Sequence, residues 1–311
     1  LSAEGGKETL LQTACSNVAG FAELLAKFKQ KVTVAGKSQS TLANYSLHLA
    51  KLAIHFNELP TEVDPERIND YLHLVKRSHN TPSESYFKFT VYALRFAYRI
   101  EGMNDKRIEL PTIKRSKKLP VVLSQEEVRR LLKAPKLLKH RILIALLYGC
   151  GLRCFEVRNL RIADLDFDRK MLHVKDGKGK KDRYVPLADI LIRGLKAYLE
   201  AEQPNEWVFN SKDQEIVGRV GGDFDSRYSQ RGVQWAVNEA KKKAGISKPM
   251  SVHTLRHTFA THLLEEGLDI LTIKDLLGHE CIDTTMIYLH VAQTDKCRAF
   301  SPLDRLYLSR K

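Results

Sequence analysis

The chain has 311 residues, is 43% hydrophobic and carries a formal net charge of +14 with a pI near 9.5. That is enough chain for two domains with separate cores, and enough excess charge to favour a polyanionic partner, although a merely basic soluble protein has the same composition. The longest apolar run, Ile142 to Cys150, is too short to cross a bilayer. Cys15, Cys150, Cys154, Cys281 and Cys297 form neither a CxxC pair nor an even disulfide framework, so they read as reduced thiols in a cytoplasmic setting.

Residues 1–18 carry little pattern and read as a flexible arm. Phe21, Leu24, Leu25 and Phe28 then mark an amphipathic helix. A second runs from Thr41 to about Phe56, with Leu42, Tyr45, Leu49, Leu52 and Phe56 on one stripe. Asp64-Pro65 is a cap followed by proline at the first helical position and opens a third. Thr81-Pro82-Ser83-Glu84 reads as a capping box that opens a fourth, with Tyr86, Phe89, Ala93, Phe96 and Ile100 inward. Residues 19–110 are therefore expected to form a four-helix domain. Its aromatics read as core. Its outward bases, Lys88, Arg95 and Arg99, read equally as a solvated face or as a surface lying against phosphates.

Residues 111–121 read as a basic linker, with Pro111 and Pro120 bracketing Lys114, Arg115, Lys117 and Lys118. The rest, 122–311, reads as a second domain, mostly helical and mixed α/β. Ser124 and Glu127 make a capping box, with Leu123 stapled to Val128. A buried helix, Arg141 to Tyr148, ends in G-C-G-L-R-C-F-E-V. There Arg153 follows the glycines and Glu156 lies one turn on, able to brace it. Residues 171–174 and 183–187 read as strands of a small antiparallel sheet, joined by the hairpin K-D-G-K-G-K-K-D-R with Lys178 between two glycines. On its own this is an ordinary basic hairpin. Residues 188–202 read as helix, 212–230 as an exposed polar loop, and Val233 to Ala244 as helix again.

The most informative stretch runs from His253 to Tyr288: H-T-L-R-H-T-F-A-T-H, then L-L-G-H-E, then T-T-M-I-Y. His253 and Arg256 are three apart, which on a helix puts them on one face. His279 follows a glycine in a turn, and Tyr288 sits in a short apolar helix. Guanidinium binds phosphate oxygens as a planar fork, and a tyrosine can form a covalent intermediate where its oxyanion is stabilised. Together these residues suggest a tyrosine acting on a phosphate.

G-L-R-C-F-E-V, G-K-G-K-K-D-R-Y-V-P-L, H-T-L-R-H-T-F-A-T-H-L-L, L-L-G-H and T-T-M-I-Y-L-H-V, in that order and spacing, resemble the tyrosine recombinases, or phage-integrase family, and look most like integron integrases and Xer-type recombinases. The resemblance covers nearly all of 120–295. It is looser over 19–102, where T-L-A-N-Y and A-L-R-F resemble the family's helical core-binding (SAM-like) domain. The resemblance implies that Tyr288 attacks the scissile phosphate and forms a 3′-phosphotyrosyl link. It implies that Arg153 and Arg256 hold the non-bridging oxygens and that Lys178 protonates the departing 5′ oxygen. His253 would assist proton transfer, His279 would hydrogen-bond the phosphate, and Glu156 would brace the first arginine. It further implies double-stranded DNA recombination sites as partners, a C-shaped clamp, a homotetramer on two sites, a Holliday junction, no metal, ATP or other cofactor, and a bacterial, nucleoid-associated location. Thr41, Asn44, Lys88, Arg95, Lys114 and Arg115 are the candidate DNA contacts. Cys154, where the family commonly has an aliphatic or small residue, and the 212–230 loop depart from the pattern.

Other readings compete with site-specific integration or excision. A zinc site at His253, His257 and His262 lacks the glutamate such motifs carry, and Arg256 would repel a metal, so His257 and His262 read as helix-packing residues. A binding-only protein, a type IB topoisomerase-like relaxer and an Xer-type resolver of chromosome dimers share the same motifs or fold. The tail beyond Tyr288, with Phe300, Leu303, Leu306 and Leu308, reads as docking either on its own domain or on a neighbouring protomer.

Overall fold

The structure, a computed structural model, describes residues 9–77, 83–103, 105–108, 119–175, 182–211 and 226–292. The chain divides between residues 116 and 117 into two compact units.

Five helices make up the described part of the first unit: α1 (Leu10–Asn17), α2 (Phe21–Val34), α3 (Gln39–Phe56), α4 (Pro65–Arg77) and α5 (Glu84–Ile100). The first of them corrects the expectation of an arm over 1–18 for its described part, 9–18; residues 1–8 lie outside the described residues. Thr9 and Gln12 cap α1 reciprocally: the Thr9 N–H donates to Gln12 Oε1 at 2.8 Å, and the Gln12 N–H donates to Thr9 Oγ1 at 3.4 Å. Ala14 and Val18 are buried, and α1 packs on α3. Leu11 and Cys15 pack half-buried beside them, so the stripe Leu11, Ala14, Cys15, Val18 has helical spacing but is short and made mostly of small side chains, a weak signal in the sequence.

In α2 the expected stripe of Phe21, Leu24, Leu25 and Phe28 is fully buried. In α5 the inward face differs from the expected one. Ala93 is buried as expected, along with Phe87, Val91, Leu94 and Tyr98, whereas Tyr86, Phe89, Phe96 and Ile100 lie half-buried at the edge. The Tyr86 hydroxyl explains part of the shift, because it pairs with the Tyr71 hydroxyl at 2.8 Å and a phenol with such a partner sits at a boundary. Ser83 is the N-cap of α5, while Thr81 and Pro82 lie outside the described residues.

In the second unit, α6 (Gln125–Lys133), α7 (Leu138–Gly149) and the short α8 (Cys154–Arg158) lead into an antiparallel sheet in the order β1 (Leu165–Asp166), β2 (Met171–Val174), β3 (Arg183–Pro186). Two residues are too few to show alternation, which is why β1 leaves no sequence signal. Leu172 pairs with Val185 and Val174 with Arg183, so Arg183 shares the inward face with Val185. Helices α9 (Asp189–Glu202), α10 (Gln230–Lys243), α11 (Val252–Glu265), α12 (Ile270–Leu277) and α13 (Asp283–Met286) follow, and a 3₁₀ turn, Ile287–His290, carries Tyr288.

The end of the expected 212–230 loop is tied down. The Tyr228 N–H donates to the Phe209 carbonyl at 2.8 Å, Arg227 bridges Asn210, and Ser229 caps α10. Residues 212–225 lie outside the described residues, as do Lys114, Arg115, Lys178 and the tail after residue 292. Helix α11 is buried on nearly every side, from Leu255 and Arg256 through Phe259, Ala260 and Thr261 to Leu264, as befits a helix at the centre of a unit. Among the described residues no helix is long and apolar enough to cross a membrane.

If α1 is part of the first core, Ala14→Asp places an unpaired carboxylate at a fully buried position. It is expected to cost about 3 kcal/mol, seen by circular dichroism as a lower first thermal transition. A mobile arm would give no change.

Candidate active site

Glu156 is where the site begins. The G-C-G-L-R junction ends α7 and turns the chain into α8. Gly151 makes that turn at φ +57°, and a Cβ there would lie 2.4 Å from the Phe259 ring on α11, so only glycine fits. The turn leaves Arg153 at the N-cap of α8 and Glu156 in its first turn. The Glu156 carboxylate accepts the Arg153 backbone N–H at 2.8 Å and Arg153 Nη1 at 2.6 Å. It also accepts Arg183 as a two-pronged fork, Nη1 at 2.9 Å and Nη2 at 2.8 Å. Arg256 Nη1 lies 3.8 Å from the same carboxylate. One buried carboxylate thus gathers three guanidiniums. Burial alone would raise its pKa, but the Arg183 fork and the Arg153 bonds more than reverse this and hold it at about 2.

Arg256 is fully buried. Its Nη1 donates to the Gly151 carbonyl at 2.7 Å and its Nη2 to the Leu277 carbonyl, so α11 is tied both to the glycine junction and to the end of α12. Its Nε is buried with no partner among the described residues. His253, three residues earlier, is exposed, as its place at the start of α11 dictates. The imidazole of His253 packs edge-on against that of His257, with centroids 4.5 Å apart.

His279 follows Gly278, which closes α12 in the left-handed conformation at φ +62°. Its Nδ1 lies 2.9 Å from Thr285 Oγ1 on α13. Tyr288 is only 1% exposed, and its hydroxyl lies 3.1 Å from His257 Nδ1. Burial raises the phenol pKa, and Arg256 and Arg153 pull it part of the way back. Burial, and then the neighbouring positive charges, hold His279 at about 3 and His257 at about 4; partial loss of hydration, and then Arg256 and Arg153, lower His253 as well.

Arg153, Glu156, His253, Arg256, His279 and Tyr288 are therefore carried by neighbouring elements of one unit. Lys178 lies outside the described residues. His262 packs as expected, between the Tyr148 hydroxyl and the Leu123 carbonyl, each at 2.9 Å. His257 does not merely pack, because it touches the tyrosine hydroxyl. Helical spacing alone groups it with His253 and Arg256. Arg183 was not singled out from the sequence either. The available signal was a charged residue at an inward position of a strand that alternates buried and exposed.

The candidate DNA contacts of the first unit each make local bonds of their own. Asn44 Nδ2 donates to the Ser40 carbonyl at 2.8 Å, the Thr41 N–H to Ser38 Oγ at 3.1 Å, and Lys88 pairs with Glu84. Arg95 is occupied in holding the Ile108 carbonyl through Nε at 3.2 Å and Nη2 at 2.7 Å.

With this geometry in view, the sequence profile of the phage integrase family matches residues 121–295. Tyrosine recombinase XerA of Thermococcus kodakarensis is 36% identical over 273 residues, covering 86% of this chain and 91% of that one. A putative integrase/recombinase, y4qK, of Sinorhizobium fredii is 33% identical over 286 residues, covering 91% and 89%. Among solved structures, XerH site-specific recombinase bound to palindromic difH substrate in a post-cleavage complex aligns with a TM-score of 0.67 at 23% identity, covering 94% of this chain and 88% of that one. The Tn1549 transposon integrase with transposon right-end DNA aligns at 0.65 and 16% identity, covering 91% and 99%. At these identities the two structures speak to the fold.

A depressed carboxylate pKa stabilises the folded state above the unfolded value of 4.5 and loses that contribution as pH falls towards about 2. The histidines act in the same sense from 6.5 downwards, because the folded state resists their protonation. Stability of the DNA-free protein is therefore expected to fall continuously with acid from about pH 6.5. Glu156→Gln should lower it by about 3 kcal/mol at neutral pH and flatten the limb below 4.5, measured by denaturant titration across pH.

Proposed function

We propose, for a chain that belongs to the phage integrase family and is a site-specific DNA recombinase, that Tyr288 is its nucleophile and that Arg153 and Arg256, gathered by Glu156, form its phosphate site. The observation that carries this is the surplus of guanidinium over carboxylate around Glu156, beside a buried tyrosine. The buried Arg256 Nε without a partner supports it, since an unsatisfied buried donor is costly and a phosphate oxygen would satisfy it.

In the reaction, Tyr288 Oη bonds to the scissile phosphorus and the bond from phosphorus to the 5′ oxygen breaks. The DNA end stays joined as a 3′-phosphotyrosyl ester. The phenol proton passes to His253, and Lys178 gives a proton to the departing 5′ oxygen. Arg153 and Arg256 hold the non-bridging oxygens, where charge grows in the transition state, and the neutral His279 donates a hydrogen bond to the same group. Because Tyr288 is covered and leans on His257, engaging a phosphate would exchange that contact for the attack position. The 5′ hydroxyl of a partner strand reverses the step on a new strand, so the energy of the broken ester is kept and no nucleotide is spent.

Two recombination sites held by four protomers, with a Holliday junction between the two exchanges, complete the proposal. The helical first unit would act as the core-binding domain, and Thr41, Asn44, Lys88, Arg95, Lys114 and Arg115 would lie along the duplex. Integration or excision of a mobile element and Xer-type dimer resolution share this chemistry.

The test is covalent trapping. Nicked duplexes tiled across the DNA flanking the protein's own gene are expected to yield a protein–DNA band on a denaturing gel. Tyr288→Phe should abolish that band, and Arg153→Ala or Arg256→Ala should slow it about 100- to 1,000-fold. Tight binding with no band from the unaltered protein would turn the reading into binding alone. Affinity for the trapped duplex, measured from about 50 to 200 mM salt, should fall by orders of magnitude if phosphate contacts dominate. A flat salt response counts against the DNA surface.

A further inference from the structure

Arg183 is a buried cation that the proposed chemistry leaves without a role. It occupies an inward position of β3, where the neighbouring inward residue is Val185. A charge on a core face is costly unless its hydrogen bonds are met. Here they are met by two separate segments. The fork of Nη1 and Nη2 closes on both Glu156 oxygens, and Nε donates to the Leu276 carbonyl at 2.8 Å. One guanidinium thus joins the strand that follows Lys178 in the chain, the helix that presents Arg153, and the end of α12 two residues before Gly278-His279.

The local backbone accommodates it. A Cβ on Gly278 would lie 3.1 Å from Arg183 Cδ, so the glycine leaves the arginine stem room to pass under the α12 terminus. Exposure separates the arginines by task. The Arg153 side chain is 20% exposed, whereas that of Arg183 is 6% exposed with its fork spent on Glu156. Arg153 has an edge to offer a ligand, and Arg183 is turned towards the protein.

We propose that Arg183 is a positioning residue for the recombination chemistry: by fixing Glu156 and the α12 terminus together, it sets Arg153 and His279 at one spacing before DNA arrives. This rests on the reading of the phosphate site given above. Without the fork, Glu156 keeps Arg153 but loses its own anchor. The Leu276 carbonyl loses its partner, so the two phosphate-binding segments are free to drift apart. Lysine does not replace it, because a point charge cannot fork onto two oxygens while also bonding a carbonyl of another segment.

The duplex that gives a Tyr288-dependent covalent band serves as the probe. Covalent-complex formation is timed at saturating protein, and affinity for the same duplex is measured separately. Arg183→Met is expected to slow formation about 30- to 300-fold while affinity stays within about threefold, the signature of an interaction used in the transition state rather than in binding. Arg183→Lys, which keeps charge and bulk if the methionine variant fails to fold, should stay at least about tenfold slow. Arg183→Met combined with Glu156→Gln should be no slower than the slower single variant, since both break one linkage. Unaltered rates in Arg183→Met, full recovery in Arg183→Lys, or multiplying defects in the double variant would each overturn the assignment. If instead Tyr288→Phe still trapped DNA, or Arg153→Ala trapped it at the unaltered rate, the phosphate-site reading itself would fall, whatever Arg183 does.

Discussion

A single carboxylate, Glu156, stands between three guanidiniums in a unit that would otherwise be torn by their repulsion. At the separations seen here, 2.6 to 3.8 Å, attraction to the carboxylate is strong because so little water screens it. The cluster still carries more positive than negative charge. That residue of charge is what a phosphodiester complements, and it has been desolvated in advance by folding. The protein meets the cost of burying Arg256 and Arg183 with backbone carbonyls at Gly151, Leu276 and Leu277, so little reorganisation is left for the moment of reaction.

The same positive field sets the state of the surrounding imidazoles. His257 and His279 are kept neutral by burial and by the surrounding positive charge, and His253 is lowered in the same sense; a neutral imidazole can accept or donate one hydrogen bond where an imidazolium can only donate. At Tyr288 this matters directly. The hydroxyl proposed to attack phosphorus rests beside His257 Nδ1 at 3.1 Å, under cover. A buried, neutral phenol is a poor nucleophile for water-borne electrophiles. Its pKa is pulled back towards normal only by Arg256 and Arg153, the groups proposed to hold the phosphate.

Much of this was legible in the chain before any coordinates. Capping residues at Ser124 and Asp64, the helical stripe of Phe21 to Phe28, and the ordered blocks from Arg153 to Tyr288 announce elements and site together, because each depends on local chemistry written in adjacent residues. What escaped depends on distant partners or on very little side chain. The stripe of α1, Leu11, Ala14 and Cys15 running on to Val18, is short and mostly of small side chains, and β1 is two residues long. The inward face of α5 was misjudged because aromatic rings drew attention to its edge, where a phenol pair, Tyr71 with Tyr86, prefers to be. Arg95 looked like a free base, yet the Ile108 carbonyl thirteen residues on occupies it.

Arg183 and His257 are the instructive cases, since both sat inside motifs already singled out. A motif read as a string assigns roles to the residues it is known by and leaves the intervening ones as spacers. Periodicity corrects this. His257 falls on the helix face of His253 and Arg256, and Arg183 falls on the face of Val185 in a strand that alternates strictly. A histidine on a catalytic face and a charge on a core face each demand a partner, and in each case the partner is a site residue, Tyr288 for one and Glu156 for the other. In a site assembled from α8, β3, α11, α12 and the 3₁₀ turn, no one segment fixes another by chain connectivity. Cross-links of this kind are what can hold Arg153, Arg256 and His279, the groups proposed to meet the phosphate, to the tolerance that phosphoryl transfer requires.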